Sequence, residues 1–157
     1  MSKKKIFLCI LGAFVLLAVS LHFLNILFFK PSAYVSEVNQ AFGIQIPSDV
    51  KQKEIYDTHD NFLGDGSSLI SYTLLKKNEA SVFEKTIQTW KPLPIDEKTI
   101  KCVAQDELNI TDGIKQGYWK VVNRNPEDMY SNPHSYNFSI VIYDSEKHII
   151  YYYKTDS

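Results

Sequence analysis

Tyr136-Asn137-Phe138-Ser139-Ile140-Val141-Ile142-Tyr143, then Asp144-Ser145-Glu146-Lys147, then His148-Ile149-Ile150-Tyr151-Tyr152-Tyr153-Lys154, is the stretch whose reading decides the fold. Two runs rich in β-branched and aromatic residues flank four turn-forming or charged ones, which is the pattern of an antiparallel hairpin. Period-2 alternation places Phe138, Ile140 and Ile142 on one face, and likewise groups His148, Ile150, Tyr152 and Lys154 on the return strand.

Toward the N-terminus, residues 117–123 (Gly-Tyr-Trp-Lys-Val-Val-Asn) read as a third strand. Residues 53–58 and 67–75 read as two more, separated by His59-Asp60-Asn61-Phe62-Leu63-Gly64-Asp65-Gly66, a stretch dense in turn residues. Asn78 is placed to cap a helix over 79–89, with Val82, Phe83, Thr86, Ile87 and Trp90 along one side and Trp90-Lys91-Pro92-Leu93-Pro94 ending it. A second short helix is expected over 95–103. Residues 124–135, with two prolines, read as a loop. The expected class is α+β: an antiparallel sheet of about five strands, one face covered by one or two helices.

Ahead of this domain lies a different kind of sequence. Lys3, Lys4 and Lys5 precede residues 6–29, a run of 24 residues without formal charge. As a helix it would extend about 36 Å, against a bilayer hydrocarbon core of about 30 Å. A cleaved secretory signal is the rival reading, with Ala18-Val19-Ser20 as its small-x-small triplet. Its apolar region would be only about 7–15 residues, and cleavage there would expose Leu21 to Phe29 on the product. The run is therefore read as a transmembrane signal-anchor in contact with the lipid bilayer. The lysines place residues 1–5 in the cytoplasm and the C-terminal domain outside the cell membrane, single-pass. Residues 30–42, in which Tyr34, Val35, Val38 and Phe42 recur at helical spacing, are expected to form a juxtamembrane amphipathic helix stopped by Gly43, leaving 43–157 as the extracytoplasmic domain.

Charge and cysteine narrow the classes further. Lys3, Lys4, Lys5 and Lys30 account for four of the 17 basic residues, so the remainder carries 13 basic against 18 acidic residues, a net charge of −5. Such a domain is a poor partner for nucleic acid. Cys9 and Cys102 are the two cysteines, so the domain has no internal disulfide to form, which suits a bacterial exported protein.

The densest polar cluster is Asp57, His59, Asp60 and Asp65. Asp57 and His59 are two apart and share a strand face, so the acid can orient the imidazole as a general base, or the set can hold a divalent metal. A turn stocked with Asp, Asn, Gly64 and Gly66 for backbone reasons explains the same residues. Ser67 and Ser68 lack the G-x-S-x-G elbow of a serine nucleophile, and Cys102, beside Ile100 and Val103, reads as a small hydrophobe. The second candidate is aromatic: Tyr118, Tyr136, Tyr143, Tyr151 and Tyr153, of which alternation sends some to the uncovered face as a docking surface, or as cross-strand pairs.

Residues 59–66, Trp90-Lys91-Pro92-Leu93-Pro94, Gly117-Tyr118-Trp119, and the hairpin from Asn137-Phe138-Ser139 through Tyr151-Tyr152-Tyr153 together resemble a family of small, uncharacterised membrane-anchored or exported proteins of Gram-positive bacteria. In that family the first stretch usually runs His-Gly-Gly-Phe-His-Gly-Asp-Gly. This chain matches at His59, Phe62, Gly64, Asp65 and Gly66 and departs at Asp60, Asn61 and Leu63. The resemblance implies a bacterial setting and assigns no activity. The preferred expectation is non-enzymatic binding of a protein or cell-wall ligand at the cell surface, without a cofactor. The alternatives are a metal-binding or hydrolytic domain using Asp57, His59, Asp60 and Asp65, and, more weakly, self-protection against a membrane-active toxin.

Overall fold

The computed structural model describes residues 19–20, 33–47, 49–59, 65–103, 113–125 and 137–156. The expected anchor, apart from Val19 and Ser20, lies outside these, as do Asp60, Gly64 and Tyr136. Among the described residues no helix is long and apolar enough to cross a membrane. The chain divides into two units, Met1–Ser36 and Glu37–Ser157.

The second unit is an α+β domain built on one antiparallel sheet of six strands, in the order β1-β2-β6-β5-β4-β3. The strands are β1 Lys51–Asp57, β2 Gly66–Thr73, β3 Lys91–Pro92, β4 Gly117–Asn123, β5 Phe138–Asp144 and β6 Ile149–Asp156. Among the described residues there are three helices: α1 Ala33–Phe42, which enters this unit at Glu37, α2 Lys77–Thr86 and α3 Glu97–Cys102. The five strands expected from alternation are present. The sixth, β3, is two residues pairing Lys91 with Trp119 and Pro92 with Tyr118 at the sheet edge. Proline, having no N–H to give a further neighbour, is at home on such an edge.

The β5–β6 hairpin sits at the centre, flanked by β2 and β4. Its loop is residues 145–148, one position later than the sequence suggests, because Asp144 continues the ladder opposite Ile149. The buried Asp144 carboxylate then shapes the turn, Oδ1 accepting from the backbone N–H groups of Glu146 and Lys147, each at 3.0 Å. His148 closes it at φ 54°, a left-handed conformation unusual for a residue with a side chain. Its carbonyl accepts from Leu74 N at 3.0 Å and its Nδ1 lies 3.1 Å from the Tyr143 hydroxyl, contacts that offset the backbone cost.

Register sorts the side chains. One face carries Leu69, Tyr153, Ile140 and Val121 in one row and Ser71, Tyr151, Ile142 and Trp119 in the next. The opposite face carries Ile70, Tyr152, Val141 and Lys120, then Tyr72, Ile150, Tyr143 and Tyr118. Every residue of β5 is buried, so both faces are covered. This corrects the expectation of one open face. On the first face, Ile95 and Val103, which flank α3, join Leu69, Trp119, Phe138, Ile140, Ile142 and Tyr153 in one apolar cluster, with Cys102 and Ile114 packed against it.

On the second face the cover is aromatic. Tyr152 meets Phe42 edge-on at 6.3 Å, Phe42 meets Trp90 at 6.0 Å, Trp90 meets Phe83 at 6.4 Å, and Phe83 meets Tyr143 at 5.1 Å. This chain of rings ties the end of α1 and the inner side of α2 to the two central strands. Tilted and edge-on pairs of this kind add about 0.5–1.5 kcal/mol each beyond the area they bury.

Helix ends differ in detail from expectation. α1 stops at Gly43, at φ +66°, as its composition predicts, and Lys120 Nζ donates to the carbonyl of Phe42 at 3.2 Å. α2 begins at Lys77, with Lys76 at the N-cap and no side-chain cap, so Asn78 lies inside the first turn. α3 is capped by Asp96, whose Oδ1 accepts from Thr99 N at 2.8 Å. Hydrogen bonding from the Thr99 side chain, and then from its backbone N–H, holds the Asp96 carboxyl below the usual carboxylate range.

Burial raises the phenol pKa of both Tyr143 and Tyr152 far above the ordinary value, and the neighbouring carboxylates Glu84 and Glu37 add to the effect. A proton held more tightly in the folded than in the unfolded chain stabilises the fold below the unfolded pKa of about 10, and that stability is lost as pH rises from there through the folded values. In a spectrophotometric alkaline titration the two rings should therefore ionise together with loss of sheet structure. Tyr143→Phe with Tyr152→Phe should shrink that late absorbance step; ionisation of both rings before unfolding would contradict their placement.

Candidate functional site

Asp57 ends β1 and His59 follows two residues later, where Thr58 N still donates to Ser67 O at 2.9 Å. The Asp57 carboxylate turns back on the chain. Its Oδ1 accepts from His59 N at 3.0 Å and lies 2.6 Å from His59 Nδ1. The proximity read from their spacing is therefore present, with the two side chains 26% and 22% exposed.

The remaining partners come from elsewhere. His59 Nε2 faces Asp156 Oδ2 at 3.5 Å, an ion-pair separation rather than an aligned hydrogen bond, and is itself shut off from solvent. Asp156, the last residue of β6, takes Arg124 Nη2 on its Oδ1 at 2.7 Å, and Lys154 Nζ lies 3.4 Å from its Oδ2. Arg124 also donates to the carbonyl oxygens of Thr155, at 2.7 Å, and Phe138, at 3.3 Å, clamping the ends of β5 and β6. Lys154 reaches Glu37 of α1 at 3.1 Å, and the same Glu37 oxygen accepts from the Tyr152 hydroxyl at 3.1 Å. Polar contacts thus run Asp57, His59, Asp156, Arg124, with Lys154 and Glu37 branching from Asp156.

Register explains why these groups meet. Asp57 pairs with Ser68, Ser68 with Lys154, and Lys154 with Ser139, so all stand on the face that α1 covers. Gly66 permits the close approach. A Cβ there would lie 2.9 Å from the Cα and N of His59 and from the carbonyl carbon of Thr58, all backbone atoms that cannot swing aside. Gly66, the first residue of β2, is thus required by the close approach of Thr58 and His59.

Asp65 is exposed beside it, while Asp60 and Gly64 lie outside the described residues. The Ser67 hydroxyl is on the opposite face, 3.2 Å from both the Tyr153 and Thr155 hydroxyls, and so is turned away from His59. Cys102 Sγ donates to the carbonyl of Lys98 at 3.4 Å.

Chemically, an Asp beside imidazole Nδ1 is the orienting half of a general-base pair. Here Nε2, the nitrogen that would work on a substrate, is buried and faces Asp156 Oδ2 at 3.5 Å, not open solvent. The ring bridges two carboxylates, and its nitrogens diverge instead of converging on one point. Among the described residues no group of three or more His, Cys, Asp and Glu side chains is arranged to hold a metal ion.

The tyrosine set does not form one exposed surface. Tyr143 and Tyr153 are buried on opposite faces, Tyr151 is half-buried on the face of Tyr153, and Tyr136 is not among the described residues. Of the four that are described, Tyr118 alone is exposed, at 36%. Beside it the molecule has a groove of about 360 Å³ lined by Ser81, Glu84 and Lys85 of α2, Gln88, Tyr118 and Ser145. Sequence spacing pairs α2 residues with neither Tyr118 nor Ser145, so this groove was not legible before the fold. Comparison with protein-family models, with curated proteins and with solved structures finds no match to the chain.

Two substitutions check this geometry. Gly66→Ala should lower stability by about 1–3 kcal/mol, the usual range for overpacking against atoms that cannot yield. Asp156→Asn, which keeps the shape but removes the charge facing Arg124, Lys154 and His59, should cost about 1–2 kcal/mol in urea unfolding. An unchanged midpoint for Asp156→Asn would show that the network adds nothing to stability.

Proposed function

We propose that the chain is a single-pass, membrane-anchored domain that acts outside the cell by binding, not by catalysis. The observation that carries the anchoring is the uncharged run of residues 6–29 behind Lys3, Lys4 and Lys5. Its length suits a bilayer span, and the lysines favour a cytoplasmic N-terminus. The resemblance to exported or anchored proteins of Gram-positive bacteria points the same way. Its partners on this reading are the bilayer, through residues 6–29, and a protein or cell-wall ligand outside. The acidic balance of the domain argues against nucleic acid.

Binding is favoured over turnover by the arrangement around His59. Both imidazole nitrogens face carboxylates, and the Ser67 hydroxyl lies on the other face of the sheet. The Asp57–His59–Asp156–Arg124 set reads as a polar clamp that joins the end of β1 to the end of β6. A hydrolytic domain is the competing reading, and it needs His59 free on one side.

Protease added to spheroplasts of bacteria producing the full chain should remove the domain, while intact mass of the untreated protein shows residues 1–30 retained. Protection of the domain from external protease, or recovery of only a processed chain, would overturn the topology. His59-dependent turnover of a wall substrate by the full chain would overturn the non-catalytic role.

A further inference from the structure

The groove beside Tyr118 has features that a clamp or a core does not need. Tyr118 stands on β4 between Pro92 of β3 and Tyr143 of β5, so its backbone is held by strand pairing on both sides. Its ring remains more than a third exposed while its register partner Tyr143 is fully buried. Around the ring lie Ser81, Glu84, Lys85, Gln88 and Ser145, two hydroxyls, an amide and one charge of each sign. The volume, about 360 Å³, falls in the usual range for small-ligand sites.

One of those polar groups is fixed from beneath. Glu84 Oε1 accepts from the Tyr143 hydroxyl at 2.9 Å, and that hydroxyl is also 3.1 Å from His148 Nδ1. The buried phenol therefore anchors one oxygen of a carboxylate that lines the groove. Support of this kind is what separates a preorganised polar contact from a mobile surface side chain. The strained backbone of His148, at φ 54°, keeps its imidazole in reach of the same hydroxyl.

The composition selects among ligands. A phosphate or carboxylate site gathers Arg and Lys, whereas here Lys85 is offset by Glu84. A flat apolar ligand would want more than one aromatic wall. A neutral sugar has an apolar ring face that lies on an exposed tyrosine and a rim of hydroxyls that both donate and accept. We propose that this groove binds a neutral oligosaccharide, with Tyr118 as the stacking platform and Glu84, Lys85, Gln88, Ser81 and Ser145 around it as hydrogen-bonding groups. The inference deepens the reading of the chain as an extracytoplasmic binding domain and rests on it, since such saccharides are met outside the cell.

The test uses the full chain in detergent micelles, titrated calorimetrically with a tetramer of N-acetylglucosamine and, separately, with maltotetraose. Saturable binding of either is expected, and which one binds identifies the sugar class. Tyr118→Ala should weaken it at least about tenfold, Tyr118→Phe should retain it, and Tyr143→Phe, which frees Glu84, should weaken it about three- to tenfold. Circular dichroism on each variant verifies the fold. No binding of either sugar by the folded chain, or equal binding by Tyr118→Ala, overturns the inference. Failure of the two proposals is separable: protease digestion outside spheroplasts without sugar binding removes the groove reading alone, and sugar binding by a chain whose domain is protected inside removes the topology alone.

Discussion

A strand buried on both sides must be paid for by two covers, and β5 imposes that condition on this domain. All seven of its residues, Phe138–Asp144, are buried. Among the described residues the helices are short, and large rings complete the cover. Phe42, Phe83 and Trp90 bridge between helices and sheet on one side, and Trp119, Phe138 and Tyr153 fill the other. Each fully buried apolar side chain of this size contributes about 1.5–3 kcal/mol. Aromatic richness here is the means by which a small domain covers a doubly buried sheet.

The hydroxyls of those rings then become the points where polar groups attach. Tyr152 ends at Glu37 and Ser139, Tyr143 at Glu84 and His148. In both cases a phenol rooted in the central hairpin positions a carboxylate on a helix. One of these carboxylates joins the charge network of Lys154, Asp156 and Arg124, and the other borders the groove of Tyr118. Core and surface chemistry are thus linked through single side chains, and the sheet's register sets both.

Much of this was legible in the sequence, and the misses have physical causes. The hairpin and the other long strands show as alternation bounded by turn residues, because burial of one side of a strand leaves that trace. β5 itself carries a nearly continuous apolar run, Ile140-Val141-Ile142-Tyr143, which is the signature of double burial. The short α3, in a stretch rich in charge, gave no sign that its neighbours Ile95 and Val103 would cover a second face. β3 escaped notice because two residues have no periodicity, and Pro92 reads equally as a helix stop. Asp57 and His59 were found together since two positions apart in sequence is a local relation, although His59 lies just past the end of β1. Asp156 and Arg124 were not, because they reach His59 only through strand order and register across β2, β6, β5 and β4.

The sheet's two borders carry a consequence for how copies of the domain would meet. β1 presents Lys51 and Lys53 along its exposed length, and the ladder breaks between Glu54 and Tyr56 so that Ile55 bulges outward. β3 ends after two residues, at a proline. Charged, bulged or truncated margins discourage one sheet from adding to another. Copies held in a membrane would meet far more often than copies free in solution, and unprotected strand margins would invite fibrillar assembly there. Borders of this kind would keep such copies separate at high lateral density.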